Sequence, residues 1–197
     1  MLILSHSLPR SFYARPTLHV ARDLIGKVLV RESLSGNTAG IVVEVEAYIG
    51  ENDPACHAAT GFTRRNAPLY GAPGRAYVYL NYGVHHLVNV VTEPEGYPAA
   101  VLLRAVEPLH GVDLMRRRRN SSVGPINDLC RGPGNLSQAF GITISQNRQD
   151  FTGQRLYVAD CGLTRQLTWT SRIGIRVGVS CPWRCYASNS LAVSRSY

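Results

Sequence analysis

The chain reads as a single α+β domain built around a curled, largely antiparallel β-sheet with peripheral helices. Three observations predict this class. Its 197 residues suit one compact domain. Apolar segments of strand length recur along the chain, whereas helical periodicity is confined to a few short stretches. Strands and helices also fail to alternate regularly, which argues against a doubly wound parallel sheet.

In order, residues 17–25 read as a helix, with Pro16 where a first turn tolerates it and Gly26 as the stop. Residues 24–31 pass into the strand-like IGKVLVR, and Ser35-Gly36-Asn37 reads as the turn to a second strand over 41–48. Six prolines and glycines punctuate 53–74, marking a long loop. Strands follow at 76–81, 87–92 and 100–106. A helix is expected over 108–119, since Leu109, Val112 and Met115 recur at spacing three. Residues 120–128 read as loop, 136–140 as a short helix opened by Gly132-Pro133-Gly134, and 156–159 and 171–179 as late strands. Residues 1–8 are expected to form a flexible arm, and 116–128 a flexible basic loop.

Lys plus Arg number 21 against 13 Asp plus Glu, for a formal charge of +8. That balance favours a polyanionic partner, although charge alone is compatible with a protein that binds nothing special. Lys27 is the sole lysine. The five cysteines (Cys56, Cys130, Cys161, Cys181, Cys185) form no spacing framework, and the N-terminus lacks a secretory signal, so reduced thiols and a cytoplasmic location are expected. Cys181 and Cys185 offer at most half a zinc site. HExxH, phosphate-loop and GxSxG motifs are missing, so no metal and no cofactor are expected, and no apolar run reaches membrane-spanning length.

Three places could carry chemistry. In Ile41–Tyr48, strand alternation puts Ile41, Val43, Val45 and Ala47 on one face and Glu44, Glu46 and Tyr48 on the other. Two carboxylates on one face of an apolar strand imply either pairing at a cleft or an ordinary solvated face. Tyr77 and Tyr79 share a face of the next strand, with Tyr82 beside Gly83 at its end; such tyrosines serve as packing or as base-stacking platforms. Arg104, inside VLLRAV, requires an anionic partner: Glu44, Glu46 or a phosphate.

Taken together, the segments GKVLV (26–30), VEVEAYIG (43–50), His57-Ala58, RNAPLYGAPGRAYVY (65–79), YGVHHLVNV (82–90), AAVLLRAVEPLHGVDLMRRR (99–118), LCRGPGNLSQAFGI (129–142) and SRIGI (171–175) resemble the alkyladenine, or 3-methyladenine, DNA glycosylase family over residues 8 to 186. The resemblance implies a monofunctional glycosylase of base excision repair. Such an enzyme flips 3-methyladenine, 7-methylguanine, hypoxanthine or ethenoadenine from duplex DNA and hydrolyses the N-glycosidic bond. It implies Glu46 as the base that activates water, with Arg104 and the Ile173 carbonyl near that water. Tyr48, His57, Tyr79 and Asn89 would form the base pocket, with Asn89 opposing the exocyclic amine of guanine. Tyr82 would be the wedge in the DNA, and Tyr77 would support the pocket or the DNA contact. Leu69-Tyr70, His86, Cys185 and the last dozen residues depart from the family pattern.

The chemistry fits these residue types. Extruding a base costs a few kcal/mol of unstacking, which a wedge offsets. Arg64, Arg65, Arg75 and Arg116, the last in the run 116–119, are candidates for the phosphate backbone; for that run a solvated helix end is the alternative. A cationic alkylpurine between aromatic faces gains about 0.5–2 kcal/mol per contact. With Lys27 the only side-chain amine, a water nucleophile and an intact abasic strand are expected. The expected partner is double-stranded DNA bearing damaged purines, engaged by a monomer without membrane association. The competing readings are a non-catalytic nucleic-acid-binding module on the same scaffold and a metal-dependent hydrolase using the histidines.

Overall fold

The computed structural model describes residues 6–120 and 124–194. Two helices open the chain, α1 (Arg10–Tyr13) and α2 (Thr17–Leu24), followed by β1 (Val28–Arg31) and the long β2 (Thr38–Ile49). After a loop with two 3-10 turns come β3 (Ala76–Asn81), β4 (His85–Val91) and the equally long β5 (Ala99–His110). Then follow α3 (Val112–Arg118), α4 (Pro133–Phe140), β6 (Leu156–Ala159), β7 (Leu167–Thr170) and β8 (Arg184–Ala187). All pairings of the sheet are antiparallel, and its main path runs β3-β4-β5-β2-β1-β6. β8 adds to the second half of β2 and carries β7 on its other side.

β2 is the axis of the molecule. Its neighbours leave it buried on both faces from Thr38 to Ala47. The face of Val43 and Val45 joins the main core, where α2 contributes Val20, Ala21 and Leu24 and α4 contributes Leu136, Ala139 and Phe140. Burial of each such aliphatic side chain contributes about 1.5–3 kcal/mol, which holds the helices against the sheet. The first turn of α2 is capped from afar: Glu93 accepts from the Thr17 amide at 2.6 Å and the Thr17 hydroxyl at 2.8 Å. A second, smaller cluster of Cys56, Ala58, Leu69, Tyr77, Val91 and Ala100 lies apart from the main core, with Tyr48 and Tyr79 packed on it. This second cluster is where the candidate site forms.

The structure alters several expected elements. The helix expected over 108–119 begins only at Val112: Pro108 and His110 still pair with Gly40 and Ala39 of β2, and Gly111 turns the chain at φ 74°. An alanine there would set its Cβ 2.2 Å from the Asn37 carbonyl oxygen, which explains the glycine. Leu109 is exposed, so the spacing of three there was not a buried helix face. The expected strand over 171–179 is an irregular segment with left-handed glycines at Gly174 and Gly178. The late strands instead flank it as β7 and β8. The arm expected over 1–8 is docked from Ser7: Ser7 bridges to Ala159, and the Leu8 amide donates to Val158 at 2.8 Å. Residues 1–5 lie outside the described residues, as do 121–123 of the expected basic loop. Of that loop, 116–118 finish α3 and 126–128 form a 3-10 turn.

Candidate active site

The two carboxylates of β2 are both 0% exposed, so neither sits on a solvated face. The β2–β5 register shifts on either side of Glu44, and Arg104 lies opposite this irregularity. Glu44 Oε1 accepts from Arg104 Nε at 2.8 Å and from Arg184 Nε at 2.7 Å, and Oε2 accepts from the Ser194 amide at 2.7 Å. Burial pushes the Glu44 pKa up, but Arg104, Arg184 and the Ser194 amide outweigh it and leave it below the ordinary value. Glu46 has a different set of donors. Its Oε1 accepts from the Ile173 amide at 2.7 Å, and its Oε2 accepts from the Tyr48 hydroxyl at 2.9 Å and faces Arg104 Nη1 at 3.1 Å. Arg104 thus bridges both acids. Burial opposes its charge, yet Glu46 and Glu44 raise its pKa.

All three donors to Glu46 also line a cavity of about 400 Å³, together with His57, Leu69, Tyr77, Tyr79 and Asn89. β3 places Tyr77 and Tyr79 on one face, with ring centroids 5.3 Å apart. The His57 ring meets Tyr79 edge-on at 4.5 Å, and its Nδ1 lies 2.8 Å from the Tyr77 hydroxyl. Burial, then Arg65, lowers the His57 pKa, which favours a neutral imidazole. Burial, then Glu46, raises the Tyr48 pKa, and burial, then Tyr77, raises that of Tyr79, so both phenols keep their protons. Tyr77 is pushed up to about 12, chiefly by burial. The amide of Asn89, 4% exposed, donates to the Tyr77 carbonyl at 3.0 Å, which fixes it in the wall.

A family model for methylpurine-DNA glycosylase matches residues 11–191. The chain belongs to this family. Its relatives include proteins provisionally named 3-methyladenine DNA glycosylase. That of Methanocella arvoryzae is 47% identical over 192 residues, covering 95% of this chain and 96% of its own. That of Salinibacter ruber is 48% identical over 200 residues, with the same two coverages of 95% and 96%. That of Rubrobacter xylanophilus is 49% identical over 164 residues, 82% of this chain and 84% of its own. As a member of this family, the chain is a hydrolase of N-glycosyl bonds that acts on DNA.

Around the glycosylase cavity, the fold gathers Glu46, Tyr48, His57, Tyr77, Tyr79, Asn89, Arg104 and Ile173. The Ile173 amide donates to Glu46 Oε1 at 2.7 Å. Tyr77 is 2% exposed, with its hydroxyl 2.8 Å from His57 Nδ1. Tyr82 is 88% exposed at the tip of the β3–β4 hairpin, at φ 49° and at the cavity mouth. Arg64 and Arg65 are exposed, with the Arg65 guanidinium 5.9 Å from the Tyr79 ring centroid. Arg75 is exposed and lies 3.7 Å from Asp150. Arg116 is half-buried and donates to the Gly124 carbonyl at 3.3 Å. Two neighbours in the arginine run are structural, Arg118 donating to Ser35 at 2.8 Å and Arg119 to Gln138 at 2.7 Å.

Sequence reasoning missed Asp53 and Arg172, a buried ion pair beneath Tyr48. Their signal was faint: an aspartate before a proline and an arginine between small and apolar residues. Among the described residues no helix is long and apolar enough to cross a membrane.

Proposed function

We propose that this glycosylase takes an alkylated or deaminated purine, extruded from duplex DNA, into the aromatic cavity and that Glu46 activates the water that displaces it. The observation that carries the reading is the placement of Glu46: its three donors, Ile173, Tyr48 and Arg104, all line the cavity. About 400 Å³ is ample for one purine. Tyr48 and Tyr79 offer π faces that favour a cationic alkylpurine over a neutral base. Water gives its proton to Glu46 while its oxygen bonds to C1′. The C1′–N bond breaks with its electron pair moving to the departing purine, which leaves free base and an abasic strand. The Arg104 guanidinium, 3.1 Å from Oε2, holds the Glu46 carboxyl group in place for this step. The donors to Glu46 all border the cavity, so the water meets it from the cavity side, beside the contact that the Ile173 amide holds. Tyr82 fills the space the base leaves, and Arg64, Arg65, Arg75 and Arg116 meet phosphates as the monomer binds.

The test is base release from duplexes carrying 3-methyladenine, 7-methylguanine, hypoxanthine or ethenoadenine. Glu46→Gln is expected to lose roughly 10²–10⁴-fold in rate, the usual scale of general-base catalysis, while DNA binding persists. Release at the wild-type rate by Glu46→Gln would refute the mechanism.

A further inference from the structure

We infer that the Arg172–Asp53 pair is a positioning element of the active site, one that aims the Ile173 amide at Glu46 and holds the ring of Tyr48; this rests on the catalytic role proposed for Glu46. Both side chains are 0% exposed. Arg172 grips the carboxylate with two parallel bonds, Nη1 to Oδ2 at 2.6 Å and Nη2 to Oδ1 at 2.8 Å. Nη1 also donates to the Ala47 carbonyl at 3.0 Å, one residue after Glu46. The guanidinium lies 4.7 Å from the Tyr48 ring centroid and 5.1 Å from that of Trp183. Asp53 in turn accepts from the Ala55 amide at 3.1 Å and the Ile49 amide at 3.2 Å. One ion pair therefore ties three parts of the cavity wall together: the end of β2, the loop leading to His57, and the segment that starts at Ile173.

The chemistry of the pair argues that it sets geometry. Two fully desolvated charges are a poor source of stability, since an apolar pair of equal volume commonly serves as well or better. Arg172 also leaves its Nε buried without a hydrogen-bond partner among the described residues, a further cost. In return, the planar fork meets a carboxylate edge-on while its face lies on an aromatic ring, two demands a lysine ammonium cannot satisfy together. The residue that follows is Ile173, whose amide is 2.7 Å from Glu46 Oε1. A rotation of Arg172 therefore moves the group that orients the acid, and displacements near 1 Å at a reacting centre can cost about 10²-fold in rate.

The experiment compares wild type, Arg172→Lys, the double variant Asp53→Asn/Arg172→Met, and Glu46→Gln. The double variant leaves no orphaned buried charge. For each, single-turnover release of methylpurines from methylated duplex DNA is measured with enzyme in excess. Affinity is measured on a duplex bearing a tetrahydrofuran abasic analogue, and folding by thermal melting. The expected result is a loss of about tenfold or more in release rate for both Arg172 variants. Their affinity for the analogue should stay within about threefold of wild type, with a cooperative melt. A folded double variant that releases base within twofold of wild type, while Glu46→Gln does not, overturns the inference and leaves the role of Glu46 standing. Parallel losses of rate and affinity, or an Arg172→Lys chain that fails to fold, mark the pair as purely structural and overturn it as well. A wild-type rate in Glu46→Gln overturns both.

Discussion

Replacing Glu44 with glutamine should unfold this protein more easily and so separate the two carboxylates of β2 by role. Glu44 is wholly buried and holds two guanidinium groups that are themselves only 7% and 3% exposed at the side chain. Removing one partner of a buried ion pair costs about 3–5 kcal/mol, because the remaining charge stays desolvated. The glutamine oxygen still accepts one N–H, so the loss should lie near the low end, about 3 kcal/mol. At roughly 2–4 °C per kcal/mol for a chain of this size, Tm should fall by about 6–12 °C. The pH dependence gives a second check. The folded Glu44 pKa lies below its ordinary value, so its stabilisation is complete above the unfolded carboxyl pKa of about 4.3 and is lost as pH falls through the folded one. The gap between wild type and Glu44→Gln should therefore be flat from about pH 7 to 5 and narrow below about pH 4. Calorimetric melts across that range provide the measurement. A shift under about 2 °C at neutral pH, or a gap that stays constant at about pH 3, would show that the Arg104–Glu44–Arg184 arrangement contributes nothing and refute the argument.

Tyr82→Ala should leave stability within about 0.5 kcal/mol, since the side chain is 88% exposed, while base release from duplex DNA falls; equal release by variant and wild type would remove Tyr82 as the wedge. Lys27 pairs with Asp160 at 2.7 Å, so Lys27→Ala should release base normally and leave the strand uncut; a borohydride-trapped enzyme–DNA adduct in wild type that is absent in the variant would contradict this. Arg64→Ala and Arg65→Ala should each flatten the slope of log K against log salt by about 0.9, measured by titration on duplex DNA, and an unchanged slope would take that residue off the phosphates.

Much of the fold was legible because strand periodicity is strong in β2, β3 and β5. The same periodicity misled where apolar residues alternate without pairing. Residues 171–179 alternate like a strand, but the left-handed turns at Gly174 and Gly178 prevent extension, and this freedom is what lets Ile173 present its amide to Glu46. β7 and β8 escaped notice because LTWT and RCYA carry no apolar run; they are held by pairing with each other and, through β8, with β2. Alternation correctly put Glu44 and Glu46 on the same face, yet it could not assign their partners. Those depend on a register irregularity opposite Arg104 and on Arg184 and Ser194, well over a hundred residues away. The Arg172–Asp53 pair was invisible for the same reason: the contact joins residues 119 apart, and neither carries a local signature.

The zero exposure of Glu46 is the sternest test of the proposed mechanism, because a carboxylate out of reach of water cannot deprotonate it. The surroundings of the two acids differ. Glu44 and Glu46 share Arg104, and Glu44 also holds Arg184, so two acidic side chains are set against two guanidinium groups. The bonds to Glu44 come from two arginines and the Ser194 amide, and none of these donors except Arg104 lines the cavity. Every donor to Glu46 does. On the proposed mechanism a water in the cavity bonds to Glu46 beside these contacts, at the cost of an ordered bridging water. The proposed mechanism therefore assigns the nucleophile to Glu46, the acid whose donors all border the cavity.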